Sequence, residues 1–387
     1  MSEVDALIGE ENDLLLSNID GMYEYAKEET GSHTLPELLK LAREEKEKSK
    51  RTQNIIHHVK TLDTLEEKIE KLRYNFRSKN TGTHIDDKRL LSWDKAEEKI
   101  NNERLKLSEN KETSHISRMV ELLKYKEQAK EGFIETPSRT DKKKEIVKLM
   151  RESKKGIFLE GSSGTGKTQL LRHIVKSLEG YEPEIFASTD QSRESDIVGK
   201  TGLDVKDGAT ISKFNEGMLV RSITEGRKVI FDEFNNMEKG LRLLLKRYFA
   251  LKPGDTFTVP QDGNTIYTVK DGFRILATGN LPGPHHTDRN PLGDEETREF
   301  EMPHLDQMPA NEIYDTLLVA SMREDKSVPY SKDEAETTLA NLARAINEAH
   351  IAYTEGKSDF FASGNVLKGK NQSLKKQSLT QHNIFLG

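Results

Sequence analysis

One octapeptide constrains the fold of this chain more than any other feature. It follows the apolar run Gly156–Glu160 and precedes a helical pattern from Gln169 to Leu178, so the sequence predicts a strand, a loop and a helix in succession. Glycines let the backbone curl until successive N–H groups face one anion, together with the positive end of the following helix. The pattern predicts a phosphate-binding loop formed by Gly161, Ser162, Ser163, Gly164, Thr165, Gly166, Lys167 and Thr168.

Two side chains at the end of this loop carry the expected chemistry. Lys167 would reach the β- and γ-phosphates of a nucleotide, and the hydroxyl of Thr168 would ligate Mg²⁺. A glycine-rich turn that binds no nucleotide is the alternative. The strand before the loop and the helix after it favour the nucleotide site.

A second predicted strand, Lys228–Phe231, ends in the two carboxylates Asp232 and Glu233. Neighbouring side chains of a strand point in opposite directions, so the two acids cannot have the same role. Asp232 is predicted to hold Mg²⁺ through water, and Glu233 to polarise the attacking water. This pairing predicts a hydrolase rather than a passive nucleotide sensor.

A third predicted strand ends at Thr278-Gly279-Asn280, where Asn280 or Thr278 could hydrogen-bond the γ-phosphate or the attacking water. With the further run Glu184–Ala187, short apolar runs alternate with helical segments across this part of the chain. Such an alternation predicts an α/β fold with a parallel sheet covered on both faces.

The first third of the chain has a different composition. Residues 1–34 form an acidic arm, and residues 35–132 are rich in Glu, Lys, Leu and Arg. Ile55, Leu62, Ile69 and Phe76 recur every seven residues, with Leu65 and Leu72 between them, and a second pattern from Leu91 to Leu123 follows a break at residues 80–83. Two long helices in an antiparallel, coiled-coil-like hairpin are expected, and separate surface helices or a partly disordered spacer are the alternative.

Composition excludes several classes of function. The chain has 387 residues and no cysteine, which excludes disulfides, thiolate metal sites and cysteine nucleophiles. No apolar run is long enough to span a bilayer and the first residues lack a signal-peptide pattern, so we expect a cytoplasmic protein without membrane contact. The net charge of −6 does not favour nucleic acid. The adjacent pair His57-His58 does not share a helix face, so a metal site is not expected there, and the loop pair His285-His286 lacks a third ligand and is expected to be solvated.

Residues 135 to 355 resemble an AAA+ ATPase of the branch that contains MoxR-type, midasin and dynein-like modules. Beyond the motifs above, Asp196–Gly199 and Phe214–Val220 are similar to that branch's stretch before the acidic strand, which contains a hairpin inserted into the second helix. The alternating segment from Thr256 to Val269 reads independently as a β-hairpin and is similar to the hairpin before the branch's sensor strand.

The resemblance implies a domain order and a ring. A nucleotide-binding domain with a five-stranded parallel sheet would occupy residues 133–305, a helical lid residues 306–355, and a flexible or truncated tail residues 356–387. Rings of this family usually have six subunits, and a neighbour's arginine completes each site; Arg298 is the candidate here, with Arg289 less favoured and a surface salt bridge as the alternative.

One departure concerns the lid. The family usually places an arginine there, and neither the stretch around Arg344 nor Ser378–Thr380 fits that pattern, so the residue is missing or the sequence ends before it.

The implied function is that of an ATP- and Mg²⁺-dependent remodelling motor or chaperone acting on a protein client. The helical region would bind a partner or adaptor, or control oligomerisation. Two alternatives stay open: the motor of a nucleic-acid-processing complex of the McrB type, and a nucleotide-stabilised scaffold.

Overall fold

The computed structural model describes residues 35–79, 87–109, 111–206, 209–280, 292–324, 326–331 and 334–354. Several predictions lie outside these residues: the acidic arm, the break at 80–83, the pair His285-His286, Arg289, the stretch Ser378–Thr380 and the tail from 356. The chain divides into two compact units. The first comprises residues 1–73 and 84–122, and the second residues 74–83 and 123–387.

The first unit is helical. Three helices, α1 (Leu35–Lys79), α2 (Asp87–Glu109) and α3 (Lys111–Lys130), follow one another, and α3 continues into the second unit. Arg104 of α2 donates to Asp63 at 2.6 Å and to Glu66 at 2.8 Å, so α1 and α2 lie side by side as in a hairpin. Among the residues of this unit whose side chains the structure describes, the buried ones are Val59, Leu62, Ile100, Ile116 and Val120.

The apolar stripe predicted on α1 is only partly right. Leu62 is buried, but Leu65 and Leu72 are 43% and 53% exposed. The buried face instead includes Val59, three residues before Leu62. A stripe can follow i, i+3 or i, i+4 neighbours on a helix, and the sequence pattern by itself did not fix which set faces the partner helix.

The second unit is α/β, and its elements alternate along the chain. The helices are α4 (Pro137–Glu152), α5 (Lys167–Glu179), α6 (Glu194–Ile197), α7 (Met218–Glu225), α8 (Lys239–Phe249), α9 (Asp294–Thr297), α10 (Ala310–Ser321) and α11 (Ala340–Thr354). The strands are β1 (Gly156–Gly161), β2 (Glu184–Ala187), β3 (Gly199–Lys206), β4 (Ala209–Glu216), β5 (Lys228–Asp232), β6 (Thr256–Val259), β7 (Thr265–Thr268), β8 (Arg274–Asn280), β9 (Phe300–Glu301) and β10 (His304–Leu305).

The main sheet is parallel, with the strand order β10-β1-β8-β5-β2, and β9 also pairs with β1. The predicted five-stranded parallel sheet is confirmed, with the difference that the strand beside β1 is split into β9 and β10. This order brings the carboxyl ends of β1, β5 and β8 together at one edge of the sheet, where ligands of open α/β sheets bind.

Both faces of the sheet are covered, which explains the continuous apolar runs. In β5, Ile230 faces a cluster with Ile146 of α4 and Leu171 of α5. Its neighbours Val229 and Phe231 face the opposite cluster, which α7 and α8 complete. Because alternate residues of the central strands enter different cores, the middle positions of these strands are apolar on both faces.

Two antiparallel hairpins and a helical segment complete the second unit. Strands β3 and β4 pair from Gly199↔Glu216 to Lys206↔Ala209, and β6 and β7 pair from Thr256↔Thr268, so both predicted hairpins are present. Helices α10 and α11 pack through a separate apolar cluster. Across the helices that the structure describes, none is long and apolar enough to cross a membrane.

Candidate nucleotide site

The loop between β1 and α5 has the backbone that its glycines require. Gly164 and Gly166 have φ angles of 77° and 85°, in the left-handed region that side chains with a Cβ disfavour. At Gly161 an added Cβ would lie 2.4 Å from the carbonyl oxygen of Leu305, so no larger residue fits beside β10. Helix α5 begins at Lys167, and its first N–H groups are therefore available to an anion at the loop.

Lys167 is 7% exposed and lies under this loop. Its ammonium donates to the carbonyl oxygens of Ser162 at 2.7 Å and Gly161 at 3.1 Å, and to Oδ1 of Asn280 at 2.8 Å. These acceptors hold the charge at the carboxyl end of β1, next to the end of β8. Because the ammonium is already fixed there, Lys167 can neutralise phosphate charge without first changing its side-chain conformation.

Asp232, at the end of β5, lies between two hydroxyl groups. Thr168 at the start of α5 donates a hydrogen bond to its Oδ1. Thr278 of β8 donates to the same oxygen at 2.6 Å. The structure thus places the two residues predicted to hold Mg²⁺ in direct contact and adds Thr278, which orients the carboxylate.

Glu233 follows directly and has an unusual backbone, with φ 49° and ψ 43°. A residue with a Cβ in the left-handed region carries strain of about 1–3 kcal/mol, which surrounding contacts must offset. Here the N–H of Glu233 donates to Thr278 Oγ1 at 3.0 Å. The strained turn directs the carboxylate of Glu233 to different partners from those of Asp232.

Two asparagines hold the carboxylate of Glu233. Asn280 donates from Nδ2 to Oε1 at 2.9 Å, and Asn236 donates to Oε2 at 2.6 Å. Asn280 accepts from Lys167 with its other side-chain atom, so it links the cation of the loop to the acid of the neighbouring strand. Asn280 itself is 4% exposed, and Asn235 supports its backbone by donating to its carbonyl oxygen at 2.9 Å.

The structure places Arg298 apart from this cluster. It caps the C-terminal end of α9 and is exposed. Among the residues that the structure describes, no hydrogen bond or ion pair joins it to Asp232 or Glu233.

Sequence reasoning did not single out Arg139, which supports the loop from below. This side chain is 2% exposed and donates to the carbonyl oxygens of Thr165 and Asp306, each at 3.0 Å. Burial lowers its pKa to about 10, although the charges of Glu312 and Asp306 oppose that shift. An arginine on a helix is too common to be a signal, so only the tertiary contacts reveal this role.

Helix α11 carries Arg344, which was weighed in the sequence analysis, and His350, which was not. Arg344 of α11 is exposed and bonds to Asn341 of the same helix at 2.7 Å. His350, two turns later, is 4% exposed, and its pKa is lowered by burial and by the positive charge of Lys167. Of these two residues, His350 is the one whose pKa responds to the charge of Lys167, whereas Arg344 is exposed.

Comparison with known proteins agrees with this geometry. Residues 156–295 match the AAA domain of the dynein-related subfamily. Over 206 residues, 52% of this chain, the sequence is 22% identical to the aerobic cobaltochelatase subunit CobS of a Sinorhizobium species. It is also 24% identical to midasin of Dictyostelium discoideum over 185 residues and 28% identical to midasin of Giardia intestinalis over 162 residues.

These matches cover only part of each relative. The chain spans 59% of the cobaltochelatase subunit and 3% of each midasin, so the likeness concerns the domain and not the whole proteins. The matched region contains the phosphate loop, the Asp232-Glu233 strand, both hairpins and the strand that ends at Asn280. Residues 156–295 thus form an AAA+ ATPase domain of the dynein-related kind, similar to part of midasin and of the cobaltochelatase subunit.

Proposed function

We propose that residues 133–354 bind ATP with Mg²⁺ and hydrolyse it in a ring of identical chains, and that the cycle remodels a protein client. The convergence of Lys167, Asp232, Glu233 and Asn280 at the carboxyl ends of three adjacent strands carries this proposal. A scaffold that merely binds nucleotide would need the lysine and the loop, but not an acid held beside them by two asparagines.

The donor set fits a hard divalent cation. Thr168 Oγ1 and Asp232 Oδ1 are in contact, and hydroxyl and carboxylate oxygens suit Mg²⁺, which keeps most of its waters. When bound, the ion would neutralise charge on the β- and γ-phosphates. Thr278 would keep the Asp232 carboxylate aimed at this position.

The role of general base falls to Glu233. Its carboxylate is positioned by Asn280 and Asn236, so one oxygen can accept a proton from a water when either amide turns to a phosphate or to that water. Asn280 contacts both Lys167 and Glu233. A γ-phosphate that binds next to Asn280 would therefore change the hydrogen bonding of the proposed base.

The position of Arg298 supports the proposed ring. Because it is exposed and separate from its own Asp232 and Glu233, its guanidinium would act on the γ-phosphate bound by a neighbouring copy. Arginine fingers of this kind contribute about 10³–10⁵ in rate.

The two hairpins are the proposed client-contacting elements. Thr201 of β3 donates to the carbonyl oxygen of Gln261, in the turn between β6 and β7, so the hairpins touch. Leu203, Val205 and Ile266 are 82%, 70% and 71% exposed on them. Apolar side chains kept in water on adjacent hairpins favour contact with another protein. The helical unit is proposed to bind an adaptor.

The test is phosphate release from ATP over a series of protein concentrations, with the variant Arg298→Ala. We expect turnover per chain to rise with concentration, and Arg298→Ala to lower it about 10³-fold or more while nucleotide binding persists. Arg227→Ala is the matched control, since Arg227 is a surface arginine just before the other end of β5 and pairs with Glu225.

Turnover that is independent of concentration, with Arg298→Ala as active as the unaltered chain, would contradict the shared site. Hydrolysis of GTP at an equal rate would contradict the choice of ATP.

A further inference from the structure

Two buried charges lie beside the proposed finger and outside the nucleotide site. Arg242 of α8 is 0% exposed and Glu296 of α9 is 1% exposed, with Nε and Oε1 3.0 Å apart. The two atoms meet as an ion pair without the alignment of a hydrogen bond. Removing two charges from water costs so much that a buried pair is weak evidence for stability, and an apolar pair would often serve as well. A structural role alone therefore explains this pair poorly.

Glu296 also fixes the start of its own helix. Its second oxygen accepts from the N–H of Gly293 at 2.8 Å, which closes the turn that opens α9. Helix α9 has only four residues, too few to be stable by itself, so its orientation depends on tertiary contacts. Arg298 is the C-cap of this helix, two residues after Glu296.

A second anchor lies two residues beyond Arg298. Phe300 is 3% exposed, and its ring lies 5.9 Å from that of Phe234 and 5.6 Å from that of Phe249. Phe234 directly follows Glu233, and Phe249 ends α8, the helix that carries Arg242. The chain is thus anchored on both sides of Arg298. Glu296 contacts α8, and Phe300 contacts α8 and the residue that follows Glu233.

We propose that the ion pair of Arg242 and Glu296 is a positioning device for Arg298. It fixes the backbone of the finger relative to the turn that carries Glu233, so that one chain presents its arginine to the neighbour's γ-phosphate in a set place. The inference rests on the proposed role of Arg298. It assigns to Arg242 and Glu296 a function in the site of the neighbouring copy, although neither residue is exposed to it.

The physical reason is that the rate of ATP hydrolysis depends steeply on where the guanidinium of Arg298 lies relative to the γ-phosphate. Arg298 is exposed, so its side chain by itself has many rotamers, and only its backbone can be fixed in advance. A displacement of about 1 Å in a positioned group can cost about 10²-fold in rate. The charge pair holds Glu296 3.0 Å from α8 while the other carboxylate oxygen binds the N–H of Gly293, and two contacts to one side chain limit movement of a helix as short as α9.

The test replaces both charges at once with Arg242→Met/Glu296→Met, because removing one alone would leave the other buried and unpaired. We expect kcat to fall about 10–100-fold with little change in KM or in binding of a fluorescent ATP analogue. In an Arg298→Ala background the same double change should cause no further loss. Arg247→Met is the matched control: Arg247 lies on the same helix but pairs with Glu194, and its kcat should stay unchanged.

A subunit-mixing experiment separates positioning from a general structural defect. Glu233→Gln chains are expected to hydrolyse ATP about 10²-fold or more slowly but carry an intact Arg298, so adding them should restore turnover at the sites of the Met/Met chains. Chains with both Glu233→Gln and Arg298→Ala should restore nothing. If the Met/Met chain does not fold, Arg242→Lys replaces it; this variant keeps the buried charge but not the guanidinium geometry, and it should show a smaller loss that the same mixing reverses.

Three outcomes would overturn the inference and leave the proposed role of Arg298 in place. The Met/Met variant could keep its kcat, its loss could add to that of Arg298→Ala, or chains with an intact Arg298 could fail to restore its turnover. If Arg298→Ala has no effect, the proposed finger and this inference fail together.

Discussion

The α/β unit and the helical unit use apolar residues in different ways. At the centre of the sheet, Ile230 and Leu276 are fully buried, and each faces helices on one side of the sheet. On the helical unit, Leu72 and Leu105 are more than half exposed. A sheet covered on both faces can hold polar side chains at its edge in fixed positions, whereas a helix pair with a narrow apolar face provides mainly surface. The difference favours the α/β unit as the place of the proposed chemistry, and contact with other proteins is the proposed role of the helical unit.

The largest expected effect is on kcat, and it tests whether the chemistry belongs to the α/β unit alone by removing the proposed base. Glu233→Gln keeps the shape of the side chain but removes its basicity, so kcat should fall about 10²–10⁴-fold while binding of an ATP analogue is retained. Arg104→Ala breaks the ion pairs of the helical unit with Asp63 and Glu66 and should leave kcat per site unchanged at saturating protein concentration. Phosphate release under single-turnover conditions checks both. If Arg104→Ala lowered kcat as much as Glu233→Gln does, the division of roles between the two units would be contradicted.

A second test compares the two cores. Ile230→Ala creates a cavity in a closely packed layer and should lower the free energy of unfolding by about 2–5 kcal/mol. Leu65→Ala, at a site 43% exposed, should change it by no more than about 0.5 kcal/mol. Urea titration followed by retention of an ATP analogue reports the α/β unit. The fluorescence of Trp93, the single tryptophan, reports the helical unit separately. If Ile230→Ala and Leu65→Ala lowered the free energy of unfolding equally, the contrast between the two cores would be contradicted.

A third, smaller effect concerns acid stability of the α/β unit. Burial raises the pKa of Glu135, but hydrogen bonds and charges of His173 and Lys143 outweigh it and lower the pKa from 4.5 to about 2. Because the folded-state value is the lower one, the ionised carboxylate stabilises the fold above about pH 4.5, and this contribution of up to about 3 kcal/mol is lost as the pH falls through 2.

The measurement is the free energy of unfolding at pH 7 and at pH 3 for the unaltered chain and for Glu135→Gln. The difference between the two chains should shrink at the lower pH. An equal difference at both pH values would show that Glu135 does not contribute through its charge.

Local patterns predicted the elements of the site well. The strand, loop and helix around Gly161–Thr168 and the acidic strand before Asp232 appeared where the sequence places them, because each depends on neighbours within a few residues. The apolar face of α1 was predicted less well, since it depends on a partner helix far along the chain. The place of Glu233 in a left-handed turn, and the amide of Asn236 on its carboxylate, had no sequence signal.

The sequence by itself determined the class of this protein: a glycine-rich loop, two carboxylates and an asparagine at the ends of successive strands admit few other folds. Only the tertiary structure decided which groups meet. Asn280 bridges Lys167 and Glu233 because β8 lies between β1 and β5 in the sheet, although it follows both in the chain. Arg242 meets Glu296 because α8 packs on one apolar cluster together with Leu292 and Phe300, the residues on either side of α9. Contacts between distant residues depend on how layers pack, and no local pattern encodes that order.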